Sequence, residues 1–213
     1  TSGPGGLGDD FVEIYNNSDS PLNVQAVDAS AGVGVFKMGA ACGDTPVLIG
    51  TIPNGTIIPA RGHYLMVGSA YSLANYGGTA AAAGNLTLSS DIEADRNIAL
   101  FATANTQNIS SDNRRDAVGF GLNTGGNCDL LREGTTLPPL SGSTLQHSYV
   151  RDECGKKGNP AQFGLCPTDG AVVDTNVNNN DFIFVDTTAA VTVAGQRLGA
   201  PGPQNLGSPI QRN

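Results

Sequence analysis

Oxygen-bearing side chains crowd one short run of this 213-residue chain, DTNVNNNDF at 174–182, where Asp174, Asn176, Asn178 and Asp181 stand close together. Calcium takes roughly six to eight oxygen ligands, and a calcium loop draws them from spacings of this kind. Such a loop also wants Gly at its sixth position and a bidentate Glu at its twelfth, and here those positions are Asn179 and Val185. The same residues suit an Asn/Asp turn whose side chains bond their own backbone. Calcium is therefore the one cofactor the sequence suggests, with no other expected.

Other reactive groupings are sparse. The two histidines, His63 and His147, lie beside Tyr64 and Ser148 on predicted strands. A hydrolytic triad needs a strained, exposed nucleophile with an oriented base, and no G-x-S-x-G occurs, so strand histidines with hydrogen-bond partners are the expectation. Gly119-Phe120-Gly121 begins like a dinucleotide fingerprint, but position 124 is Thr and no βαβ pattern surrounds it. Acidic residues fall in three further groups: Asp9, Asp10 and Glu13; Asp91, Glu93 and Asp95; and Asp112 with Asp116. Paired carboxylates across a cleft would suit glycoside hydrolysis, yet spacing alone does not pair them. The sequence reads as non-enzymatic.

Four cysteines, Cys42, Cys128, Cys154 and Cys166, include no C-x-x-C pair. An even count without metal-ligand spacing indicates disulfides and an oxidising compartment. Three pairings are possible. Cys154 and Cys166 bracket a short loop rich in Gly, Lys, Asn and Pro, which favours 154–166 with 42–128.

Charge is sparse and acidic, with 11 Lys and Arg against 19 Asp and Glu and a net of −8. Binding to phosphate backbones rests largely on cationic neutralisation, so no nucleic-acid partner is expected. No membrane-spanning run is visible either. The chain opens TSGPGG without Met, which reads as a mature or excised product and, with the cysteines, as extracellular or cell-surface. Trp is absent and only five Tyr and seven Phe occur, leaving little for a sugar-stacking platform; Tyr71 and Tyr76 are the best candidates for one. Asn-x-Ser/Thr sequons stand at Asn16, Asn54, Asn85 and Asn108.

The elements that would carry these residues are strands. With 29 Gly and 12 Pro punctuating short apolar runs, the pattern suits an all-β domain. In DFVEIYN at 10–16, Val12 and Ile14 share one face while Phe11, Glu13 and Tyr15 share the other. Further strands are predicted at 21–27, 33–38, 47–49, 97–102, 116–120, 146–151 and 182–185. Thr56–Ile58 and His63–Val67 read as a hairpin-like pair about a Pro-Ala-Arg-Gly turn, 69–76 as one or two helical turns, and 121–143 as a long loop. From 195 to 213 a Pro/Gly/Asn composition predicts an extended arm or linker after a domain at 1–194.

The order of these segments is similar to that of bacterial lamin-tail domains. The residues carrying the resemblance are DDFVEIYNNSDSPL at 9–22, IPARGHYLMVG at 58–68, NIALF at 97–101, DAVGFG at 116–121, QHSYVR at 146–151, DTNVNNNDF at 174–182 and LGAPGP at 198–203. The resemblance implies an immunoglobulin-like β-sandwich of the lamin-tail type with long loops. Members usually begin with a short apolar strand before the Gly-rich lead, and this sequence begins after it, so that strand is either trimmed or supplied by a neighbour. These features point to a non-catalytic extracellular structural module that self-associates by strand or arm exchange, such as a filament or surface-layer subunit. Its partners would be itself or other surface proteins, and Leu206, Pro209 and Ile210 would be the arm's anchors. The alternative is a carbohydrate- or protein-binding adhesion module of a larger secreted protein.

Overall fold

A computed structural model describes residues 3, 6, 8–73, 83–121, 123–138, 146–151, 172, 174–187, 197–199 and 202–208. The chain is an all-β sandwich. One sheet has the order β4-β3-β8-β9, from Val47–Pro53 (β4), Gly32–Lys37 (β3), Ile98–Phe101 (β8) and Arg114–Val118 (β9), all antiparallel. Facing it are β1 (Phe11–Tyr15), β6 (His63–Val67) and β7 (Leu86–Thr87), together with the two-stranded pair β2 (Leu22–Asn23) and β5 (Ile57–Ile58). A third sheet joins β10 (His147–Arg151), β11 (Phe182–Asp186) and β12 (Arg197–Leu198).

Alternation decides which side chains meet. Val33 and Val35 of β3 pack with Ile49 and Ile52 of β4, Ile58, Tyr64 and Met66 in the main core, against which Val12 and Ile14 of β1 also rest. The opposite face of the same sheet is apolar too. Phe36, Ala99, Phe101 and Ala117 form a second core there with Met38, Cys128 and Leu131. Ile49 reaches the main core through a bulge: Val35 pairs with Gly50 and Phe36 with Leu48, leaving Ile49 as the extra residue of β4. Gly34 is required for the second core, because a Cβ there would lie 2.6 Å from the Phe36 ring.

The second core is roofed by a 3-10 helix, Gly126–Leu131, whose Cys128 is fully buried and disulfide-bonded to Cys42. The roof is held at two more points, since Asn127 N–H donates to the Cys42 carbonyl at 2.8 Å and its Nδ2 donates to the Asp44 carbonyl at 2.8 Å. Gly126 has φ +55, and a Cβ there would sit 2.7 Å from the Cys42 oxygen. Cys154 and Cys166 lie outside the described residues.

Two sequence expectations change here. The strands at 56–58 and 63–67 do not pair with each other: β5 pairs with β2, and β6 with β1. Arg61, with φ 55 and 4% exposed, turns the chain between them and is tied to the β1–β2 loop through Asn17 and Asp19. The predicted strand at 21–27 narrows to Leu22–Asn23. Among the described residues no helix is long and apolar enough to cross a membrane.

The Cys42–Cys128 bond closes a loop 86 residues long in sequence, and such a crosslink contributes about 2–5 kcal/mol. The paired change Cys42→Ala with Cys128→Ala is expected to lower urea-unfolding stability by that amount. A loss under about 1 kcal/mol would mean that the Asn127 contacts hold the roof without it.

Candidate functional site

The oxygen-rich run folds into a tight turn and one helical turn, α1 (Asn178–Asp181), leading directly into β11. Its side chains are largely spent on backbone. Asn178 is fully buried; its Oδ1 accepts the N–H groups of Gly119 at 2.8 Å and Glu133 at 3.0 Å, and its Nδ2 donates to the Ala117 carbonyl at 2.6 Å. Asp181, also fully buried, accepts from Thr175 N–H at 2.9 Å, Val177 N–H at 3.1 Å and the Thr175 hydroxyl at 2.6 Å. Asp174 Oδ1 accepts Asn176 N–H at 3.3 Å, and Asn176 has φ 57. The turn thus uses these residues as backbone partners.

Where a cation would stand, the structure places a guanidinium. Arg151 of β10 has Nη1 3.5 Å from both Asp174 and Asp181. Its Nε donates to Asp116 Oδ2 at 3.2 Å, and its Nη2 binds the other oxygen of Asp116 and lies 3.7 Å from Glu133. The Phe182 ring closes the far side, 4.6 Å from the guanidinium carbon. Arg114 approaches Glu133 from β9 at 3.7 Å while donating to the carbonyls of Asp129, Leu130 and Arg132 at the end of the 3-10 helix. Four carboxylates therefore share two guanidiniums. Among the described residues no group of three or more His, Cys, Asp and Glu side chains is placed to hold a metal ion.

Glu133 is the unbalanced member. It is 5% exposed and its Oε2 has no hydrogen-bond partner. Burial, reinforced by the charges of Asp116 and Asp174 and only partly opposed by Arg114 and Arg151, pushes its carboxyl up to about 7. Burial likewise raises Asp116, against the pull of Arg151. For Arg151, burial would lower the value, but Asp116, Asp174 and Glu133 more than offset it and the guanidinium is held more firmly charged. Chemically the network stores charge and joins β9, β10, α1 and the roof helix.

The arm residues lie elsewhere. Two pieces of the 195–213 stretch pack on the domain: β12 pairs in parallel with β11, and residues 202–208 reach the segment 83–85 that leads into β7. There Asn205–Ser208 makes a turn through Ser208 N–H to the Asn205 carbonyl at 3.0 Å and Gly207 N–H to Asn205 Oδ1 at 2.8 Å. Asn205 Nδ2 donates to the Ala83 carbonyl at 2.8 Å, Leu206 N–H donates to Asn85 Oδ1 at 3.2 Å, and the Leu206 side chain rests on the main core. Pro209 and Ile210 lie outside the described residues. Tyr71 is half-buried against Phe11, Leu65, Val67 and Leu73, and burial pushes its phenol up to about 12, so it faces its own domain. Tyr76 lies outside the described residues.

Of this site, sequence flagged Asp174, Asn176, Asn178 and Asp181 as a cluster and Asp116 as a separate carboxylate, but missed Arg151 and Glu133. The nearest signal was the Arg in QHSYVR, a cation placed at the end of a half-buried strand.

A folded-state value raised above the ordinary 4.5 means that Glu133 contributes stability at low pH that is lost as pH rises through about 7. Glu133→Gln is therefore expected to flatten the stability profile between pH 5 and 8 and to gain about 1–2 kcal/mol over the parent at pH 8. Chemical denaturation across that range measures it, and an unchanged slope would clear Glu133 of the role. Arg151→Met should cost about 3–5 kcal/mol at neutral pH, by stranding buried carboxylates. Set against known proteins, the chain matches no family model, no curated protein and no solved structure.

Proposed function

We propose that this chain is a non-catalytic, extracellular structural module of the lamin-tail type that self-associates by exchanging its C-terminal arm. The observation that carries the reading is the docking of residues 202–208 on the chain's own segment just before β7, through Asn205 to Ala83, Leu206 to Asn85 and the Leu206 side chain to the main core. Every one of those contacts can be made equally by the arm of a second copy, which is the condition for exchange at little cost. The dock is also modest in strength. Leu206 is half-buried and contributes about 1 kcal/mol, while two hydrogen bonds add about 1 kcal/mol each. An arm held this lightly opens readily.

Arm exchange is favoured over strand addition because it has residues on both sides of the contact. Repeated head to tail, it is a heterologous contact that yields an open filament unless the rotation closes a ring. The Cys42–Cys128 disulfide supports an oxidising, extracellular setting. The acidic charge and the Arg151 network, with a guanidinium filling the carboxylate cluster, support a scaffold in place of an active site.

Within one chain the tether keeps the arm at an effective concentration of about 1 mM or more. Self-association is therefore expected to rise steeply as protein concentration approaches that range, read by light scattering and electron microscopy. Leu206→Asp and a chain ending at residue 201 should both remain monomeric. A parent that stays a monodisperse monomer, or a Leu206→Asp variant that assembles as the parent does, would overturn the proposal.

A further inference from the structure

The four sequons are not equivalent in the folded chain. N-linked glycosylation uses the carboxamide nitrogen, so a fold tolerates the sugar only where that nitrogen is accessible and not already spent. Asn16 is buried, and its Nδ2 donates to the carbonyls of Ser20 at 2.9 Å, Ile58 at 3.2 Å and Pro59 at 2.9 Å. Asn54 Nδ2 donates to the Ser30 carbonyl at 2.9 Å while its Oδ1 accepts Ala26 N–H. Asn108 Nδ2 donates to Asp28 Oδ2 at 2.6 Å, one of the bonds that hold the Asp28 carboxyl well below the usual range. A sugar on Asn16 must displace at least one of its three carbonyl contacts, and on Asn54 or Asn108 it would crowd a nitrogen already committed to a distant segment.

Asn85 differs. It is exposed at the entry to β7, and its side-chain oxygen is in use: Oδ1 accepts Leu65 N–H at 3.0 Å and Leu206 N–H at 3.2 Å. Among the described residues its Nδ2 has no hydrogen-bond partner, and Thr87, which completes the sequon, is exposed two residues on. We infer that Asn85 is the glycan acceptor of this chain, taking an N-linked oligosaccharide from a lipid-diphosphate donor. In the transfer Nδ2 forms a bond to the anomeric carbon, the bond from that carbon to the donor phosphate oxygen breaks with its electron pair on the departing lipid diphosphate, and Nδ2 gives up one proton. The two bonds to Oδ1 survive, because the carbonyl is untouched.

The test is the full chain secreted from a eukaryotic cell, with each sequon peptide scored by mass spectrometry after enzymatic deglycosylation in heavy-oxygen water. Asn85 is expected to carry glycan on most molecules, and Asn16, Asn54 and Asn108 to be at least tenfold less occupied. Thr87→Ala should abolish the modification. Asn85→Asp should do so while keeping both acceptor contacts, so that the variant is still secreted folded. An unmodified Asn85 in the secreted parent, or equal occupancy at any of the other three, would overturn the inference. Occupancy is read as mass and self-association as particle size, so either idea can fail without the other.

Discussion

β3 is apolar on both faces, and the rest of the molecule is arranged to satisfy it. A strand that sends Val33 and Val35 one way and Phe36 the other cannot lie on a surface. One face is met by the opposing sheet. The other needs a separate cover, and the chain supplies one from the irregular stretch that bears Cys128 and Leu131. Phe36 and Phe101 meet edge to face at 5.5 Å beneath it, both fully buried, and each such side chain contributes about 2–3 kcal/mol. A cover made of 3-10 helix has few internal bonds of its own, which explains why a disulfide, Asn127 and Arg114 all converge on it. At the end of β3, Lys37 runs its stem past the core and places its ammonium on the Asp91 carbonyl at 2.6 Å and Glu93 at 3.1 Å.

What could be seen in the sequence follows from the same logic. β1, β6, β8 and β11 were legible because alternation or a dense apolar run records burial locally. β7 and β12 were not: each is only two residues long and exists through parallel pairing with another strand. The hairpin expected at 56–67 failed for a different reason. Loop length favoured pairing, but Ile58 belongs to the main core, and Arg61 redirects the chain into another sheet. Half of the carboxylate cluster was visible as a dense Asn/Asp run. Its counter-charge was hidden, since Arg151 reaches it only through the β10–β11 pairing, where Arg151 stands opposite Phe182.

The Arg151 network shows how a buried charge can be structural without being strongly stabilising. Moving several ions out of water costs several kcal/mol each, and attraction offsets this only where hydrogen bonds are complete. Asp116 and Asp181 have theirs. Glu133 does not, and it is held by guanidiniums at 3.7 Å on two sides. An apolar joint between these elements would tolerate sliding. A joint whose members are matched charge to charge, with Asn178 bonded to Ala117, Gly119 and Glu133, accepts a single register.

Geometry also limits the arm exchange proposed above. Leu198 is fixed in β12 and Asn205 is fixed at Ala83 just before β7, seven residues apart. Fully extended, seven residues span about 23–25 Å. While β12 remains paired, an arm can therefore reach only a copy whose β7 lies within that radius, so neighbouring subunits in such an assembly must pack closely. Releasing β12 lengthens the reach but gives up its two-residue pairing with β11. The short tether favours the closed form at low concentration and makes any polymer compact. Asn85 stands at that contact with its oxygen committed to Leu65 and Leu206. Loss of the oxygen would loosen β7 and the arm together, whereas a change confined to the nitrogen leaves both in place.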